Sequence, residues 1–170
     1  MACRILGLWL GVMVIAAWPA MAQTKNDRGR GLVEGGGGYA SFVDDSPISH
    51  GVVQGSARWF LGSRVAVGPE VTYMRGPDSD RDWLVTGNVT IDAFRRSGAP
   101  RRVRPYIVAG AGLMHSTLPV GIGSFSSSEG AFTAGGGARI TATRGWYLAP
   151  EVRLGWELHW RTGVTVGKSF

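Results

Sequence analysis

The sequence predicts an all-β protein, specifically an eight-stranded antiparallel up-and-down transmembrane β-barrel. Three observations carry this. Apolar and other residues alternate at period 2 through most of residues 31–170. The face opposite the apolar one mixes charges with glycine, and large aromatic residues gather at strand ends. Composition agrees: among 170 residues, 27 are Gly, 44% are hydrophobic and 18% are charged. That is too apolar and too weakly charged for a disordered chain, and the glycines lack the period of three of a collagen. The length suits one domain. The net charge of +6 permits contact with anions without choosing among them.

The first segment sets the compartment. Arg4 precedes an apolar run over residues 5–17, Trp18-Pro19 breaks it, and Ala20-Met21-Ala22 has the form of a signal-peptidase site. Residues 1–22 are therefore expected to be a cleaved signal peptide and 23–30 a mobile periplasmic tail, leaving 31–170 as the barrel. The single cysteine, Cys3, falls inside the signal, so the mature chain has no disulfide framework and no thiolate metal site.

Eight strand segments follow in order, at about 31–43, 51–61, 64–74, 82–95, 102–114, 130–142, 146–154 and 159–170. The first holds Gly35-Gly36-Gly37-Gly38, which lacks the helix and Lys of a phosphate-binding loop and fits a narrow barrel better. In the third, Val65, Val67, Val71 and Tyr73 oppose Arg64, Gly68, Glu70 and Thr72. In the fourth, Trp83, Val85, Val89, Ile91 and Ala93 oppose Thr86, Asn88, Thr90 and Asp92. In the seventh, Trp146, Leu148, Val152 and Leu154 oppose Tyr147, Ala149, Glu151 and Arg153. The Gly/Ser-rich stretch 115–130 reads as a connection. No window has the pattern of a useful amphipathic helix, which removes parallel βαβ folds and leaves a sandwich or a barrel.

The polar face decides between those two. It carries Arg58, Glu70, Asp92, Arg139, Glu151 and Arg153 together with Gly68, Gly110, Gly112, Gly135 and Gly137. Glycine only weakens a strand on a solvent face, whereas it makes room where strands converge on a narrow polar interior. The apolar face then meets lipid. With the N-terminus periplasmic, Trp59, Trp146 and Phe170 fall at the periplasmic boundary, and Tyr73, Trp83 and Trp156 at the outer one. These form two aromatic girdles.

The sequence resembles the outer-membrane β-barrel superfamily typified by the membrane domain of outer membrane protein A. The resemblance rests on Val164-Thr165-Val166-Gly167-Lys168-Ser169-Phe170, on Arg104-Pro105-Tyr106-Ile107-Val108-Ala109-Gly110-Ala111-Gly112 and on Ala149-Pro150-Glu151-Val152-Arg153. It covers nearly the whole mature chain. It implies the fold, an outer-membrane location, and a terminal Phe read by the barrel-assembly machinery. Lys168 stands where that family usually has an apolar residue. The fold hosts many roles, so the resemblance implies no particular activity.

Candidate chemistry is sparse. His50, His115 and His159 each border an outer connection and, with Asp44 and Asp45, offer metal-ligand atoms, but no spacing enforces convergence, so no metal or other cofactor is expected. His115-Ser116 and the pair Glu157 and His159 are the nearest material for a Ser-His-acid set acting on lipopolysaccharide acyl chains. Neither matches a deacylase or palmitoyltransferase signature. Arg95, Arg96, Arg101, Arg102 and Arg104 crowd one periplasmic turn without interleaved stacking aromatics. Nucleic acid is therefore not an expected partner, while anionic headgroups or peptidoglycan are.

The expectation is a monomeric, non-enzymatic barrel with a structural or interaction role, embedded among outer-membrane lipids and lipopolysaccharide and closed by inward charges. A lipid-modifying enzyme is the alternative. A small-solute channel and a soluble periplasmic β-protein are weaker ones.

Overall fold

The computed structural model describes residues 30–43, 48–77, 80–96, 101–120, 123–156 and 159–170. The signal segment, most of the tail, Asp44, Asp45 and Glu157 lie outside them. Eight strands make up the fold: β1 (Gly31–Phe42), β2 (Ile48–Phe60), β3 (Val65–Arg75), β4 (Arg81–Asp92), β5 (Val103–Val120), β6 (Gly123–Thr143), β7 (Trp146–Gly155) and β8 (His159–Ser169). Each pairs antiparallel with the next, and β1 with β8, so the sheet closes into a barrel. β1 begins and β8 ends at one rim, called here the terminal end; the opposite rim is the distal end.

Alternation dictates the wall. Along β4 the side chains of Asp82, Leu84, Thr86, Asn88, Thr90 and Asp92 are buried, while those between them are exposed. The outer surface carries Val85, Val89, Ile91, Ile107, Leu113, Leu148, Val152, Leu154, Val164 and Val166. Six strands of 10–13 residues match the length a tilted strand needs to cross a hydrocarbon core. No helix among the described residues is long and apolar enough to span a membrane.

Two strands depart from the expected pattern. β5 has 18 residues and β6 has 21, so most of the stretch 115–130 is an extended hairpin rather than a loop. Its register is unbroken from Val103↔Ile140 to Val120↔Gly123. Serine and glycine have weak strand propensity, but pairing to an existing template outweighs it. Arg104 is likewise not in the turn; it belongs to β5, opposite Arg139, on the inward face, because the alternation that buries Tyr106 continues back through it.

At the terminal end, β6 and β7 are joined by Arg144-Gly145, with φ of 40° and 83°. Positive φ at both residues matches the right-handed twist of a two-residue hairpin. The seam between first and last strands ends at Phe170, whose backbone N–H donates to Gly31 O (3.0 Å) and whose carbonyl accepts from Gly31 N–H (2.9 Å).

Candidate functional site: the charged lumen and its two rims

All eight strands send polar side chains into one buried network. Glu70 (β3) is its centre. Its Oε2 accepts from Arg153 Nη2 at 2.7 Å and Arg58 Nη2 at 3.1 Å, and its Oε1 accepts from Arg161 Nη2. Arg153 is 1% exposed; it also donates from Nε to Glu151 Oε1 at 2.5 Å and from Nη1 to Asn88 Oδ1 at 3.1 Å. Nearer the terminal end, Glu34 Oε2 lies 2.8 Å from Arg58 Nη1, and Arg139 Nη1 donates to Asp92 Oδ1 at 2.5 Å. Two phenols finish the satisfaction of the carboxylates: Tyr106 Oη donates to Glu151 at 2.8 Å and Tyr147 Oη to Glu34 at 2.9 Å.

Four guanidiniums thus face four carboxylates, which avoids leaving an uncompensated charge in a confined space. Arg58, Glu70, Asp92, Arg139, Glu151 and Arg153 are all buried here, each within an ion pair. Glu34 and Arg161 complete the set and were not expected. Inward glycines admit the bulk: a Cβ at Gly137 would lie 2.8 Å from Tyr106 Oη, and one at Gly167 2.5 Å from Tyr147 Oη.

The interior is not uniformly polar. Ala40, Val52, Met74, Leu84, Met114 and Ala131 form an apolar layer above the network toward the distal end, with Phe42 against it. Leu32, Val108 and Ala149 join Tyr106 and Tyr147 in a second cluster lower down, with Phe60 against it. Beyond the distal layer lie His50, Asp82 and His159, all buried.

The aromatic residues sort by level. Trp59, Trp146 and Phe170 lie at the terminal end and Tyr73, Trp83 and Trp156 toward the distal end; all but the half-buried Tyr73 are exposed. Tyr73 packs on Trp83 at 4.8 Å between centroids, Trp156 on Phe132 at 5.4 Å, and Tyr39 on Trp160 at 5.5 Å, which adds Phe132, Tyr39 and Trp160 to the distal aromatics. Lys168 has its ammonium 5.5 Å from the Trp146 ring centroid. A long stem over an aromatic at the rim fits the edge of a membrane, which accounts for a lysine at a position where an apolar residue is usual.

Among the described residues, every exposed charged side chain of the terminal rim is basic: Arg30, Arg64, Arg95, Arg101, Arg102, Arg144 and Lys168. Arg101 stacks over Phe94 at 4.1 Å and Arg96 over Phe60 at 3.8 Å, so Arg96 is partly built into the wall.

Two of the three histidines come together: the His50 and His159 rings flank Phe42 at 4.9 and 5.0 Å between centroids, and His115 stands apart. His115 faces outward and its Nδ1 lies 2.7 Å from Ser128 Oγ. Ser116, one residue on, points to the opposite face and hydrogen-bonds Asp82, so the His115-Ser116 candidate does not assemble. His159 donates from Nδ1–H to Trp156 O at 2.5 Å, and His50 Nε2 lies between Asp80 and Asp82.

No protein-family model matches the chain, and no curated protein sequence does. Solved structures do. Neisserial surface protein A superposes with a TM-score of 0.72 at 12% identity, over 85% of this chain and 100% of its own. This chain has the fold of the small eight-stranded outer-membrane barrels. The N-terminal β-barrel domain of Pseudomonas aeruginosa OprF gives 0.66 at 16% identity, over 85% and 100% of the two chains. Ail, the attachment invasion locus protein of Yersinia pestis, gives 0.55 at 13%, over 84% and 98%. At such identities the small-barrel likeness extends to the fold alone.

Proposed function

We propose that this small barrel is a monomeric resident of the bacterial outer membrane, exported by cleavage after Ala22, with a structural or interaction role. The observation that carries this reading is the filled lumen. Arg58, Arg139, Arg153 and Arg161 cross-link the strands through Glu34, Glu70, Asp92 and Glu151, and an apolar layer lies above them. Eight strands enclose only enough space for side chains, and a water column would have to break these pairs. The apolar belt is solvated by outer-membrane lipid and lipopolysaccharide acyl chains, and the strand ending at Phe170 is the segment offered to the barrel-assembly machinery. The basic terminal rim faces the periplasmic leaflet and takes anionic headgroups or peptidoglycan.

The test is single-channel recording of the purified, refolded mature chain in planar bilayers. A sealed barrel shows no stable openings. Sustained nanosiemens conductance in the unmutated protein would move the function to solute passage.

A second reading has one observation in its favour, the outward-facing pair of His115 and Ser128 on β5 and β6. A hydroxyl and an imidazole at hydrogen-bond distance beside the distal girdle are the elements of acyl chemistry on lipopolysaccharide. Among the described residues no carboxylate hydrogen-bonds that imidazole, so its orienting partner is missing. Overexpression followed by mass spectrometry of lipid A distinguishes the two: the structural barrel leaves acylation unchanged, and an enzyme changes it in a way that His115→Asn abolishes.

A further inference from the structure

At the distal mouth, above the apolar layer, three side chains converge from the starts of β2 and β4, which flank β3. His50 (β2) has its Nε2 2.9 Å from Asp80 Oδ2 and 3.4 Å from Asp82 Oδ2. The three ligand-type atoms all lie within 4.8 Å of one another. We propose that His50, Asp80 and Asp82 form a binding site for a divalent transition-metal ion of the zinc class.

The geometry fits such an ion. Bonds of about 2.0–2.1 Å in a tetrahedral site give ligand-to-ligand edges of roughly 3.3–3.4 Å. The His50–Asp82 separation is already 3.4 Å, and the His50–Asp80 pair has to open by only a few tenths of an ångström. The donor set selects the class: imidazole with carboxylates suits zinc, cobalt or nickel, whereas calcium and magnesium take oxygen ligands.

Two independent features of the surroundings support a built site. Gly76 provides a cradle over the ligand atoms, since a Cβ there would lie 2.5 Å from His50 Nε2 and 3.1 Å from Asp80 Oδ2. Ser116 on β5 hydrogen-bonds Asp82, the kind of outer partner that orients a ligating carboxylate. The imidazole is 2% exposed, its Nδ1 has no hydrogen-bond partner, and the ring is held by its Nε2 contacts and by the edge contact with Phe42 at 4.9 Å. Two carboxylates converging on one nitrogen need positive charge between them. A divalent ion supplies two units. Asp80, more exposed than its two partners, leaves a side open for entry and for a water ligand. A bound ion would fasten the connection between β3 and β4 to β2, pinning the distal mouth.

The experiment uses the mature chain without a polyhistidine tag, refolded in detergent and checked for folding by its heat-dependent gel shift. Cobalt titration, read by its visible absorption and followed by zinc displacement, is expected to show one ion per barrel. Asp80→Asn/Asp82→Asn should weaken binding at least tenfold, and His115→Asn should leave it unchanged. Gly76→Leu fills the cradle while keeping every ligand, so it should also abolish binding; it stands in if the double variant fails to fold. If the folded unmutated protein binds no more cobalt or zinc than the Gly76→Leu protein, the cluster is an imidazolium ion pair only and the proposal is wrong. Loss of binding in His115→Asn would overturn it as well.

Discussion

Gly31 and Phe170 exchange a reciprocal pair of backbone hydrogen bonds, and the Phe170 ring occupies the space a side chain at position 31 would need, with Cζ 2.5 Å from a Cβ built there. The last residue of the chain is thus the closing stitch between the first and last strands. Deleting Phe170 removes both bonds, each worth about 0.5–1.5 kcal/mol net, and the ring's apolar contact. The folded band on an unheated gel should disappear at a lower temperature, and outer-membrane abundance should fall. Equal abundance and equal heat resistance would separate Phe170 from assembly.

Glu70 makes the most ion pairs of the described lumen groups, facing Arg58, Arg153 and Arg161. Glu70→Ala leaves three buried guanidiniums short of a partner, and breaking a buried pair in this way costs about 3–5 kcal/mol. Urea unfolding in detergent should show that loss. Glu151→Ala removes a carboxylate that meets one guanidinium and one phenol, and should cost less. In planar bilayers Glu70→Ala should give brief small openings that the parent lacks.

Arg144 is the described non-glycine residue with positive φ. Asparagine tolerates that region better, and Asn-Gly is a favoured pair for a two-residue hairpin. Arg144→Asn should raise unfolding stability by up to about 1 kcal/mol, whereas Gly145→Val, forced to φ of 83°, should lower it by about 1–3 kcal/mol. Both are read from unfolding midpoints. A stabilising Gly145→Val would contradict the turn geometry.

At the basic rim, Arg95, Arg101 and Arg102 are exposed, while Arg96 packs on Phe60. Replacing those three with Ser and keeping Arg96 tests surface charge without disturbing the wall. Attraction to anionic headgroups should fall by about 1 kcal/mol for each, most clearly at low salt. Co-sedimentation with anionic vesicles, and separately with isolated peptidoglycan, gives the measurement. Identical binding at low salt would make the turn a solvated one.

Strand number and the two-faced wall were legible because the outside of a closed barrel and its narrow lumen impose opposite chemistry on alternate residues. The same alternation could have located Arg161: Val164 and Val166 face outward, so Arg161 and Thr165 face in. Glu34 was harder, since the glycines after it give the alternation no apolar partner to count from. The apolar layer of Met74, Leu84 and Met114 was hidden because a buried apolar residue beside an outward apolar one blurs the period. The stretch 115–130 was misread because serine and glycine signal loops, while register is set by pairing across the hairpin. The meeting of His50 with Asp80 and Asp82 depends on how β2 and β4 flank β3, which no local spacing encodes.

The unequal strand lengths leave one further mark on the molecule. Closure abolishes sheet edges within the barrel, but the pairing of β6 with β7 begins at Thr133 and Gly155. Among the described residues, β6 from Gly123 to Phe132 pairs only with β5, so a sheet border reappears outside the closed ring. Such a border is a template for pairing with any passing extended chain. Here it is lined by Ser124, Ser126, Ser127, Ser128 and Glu129 rather than by branched aliphatics. An incoming strand would find hydrogen bonds that water already supplies and, apart from the exposed Phe125 and Phe132, no large apolar side chain on this border to cover. The hydroxyl-rich composition that disguised this ribbon as a loop is also what guards it against sticking to its neighbours.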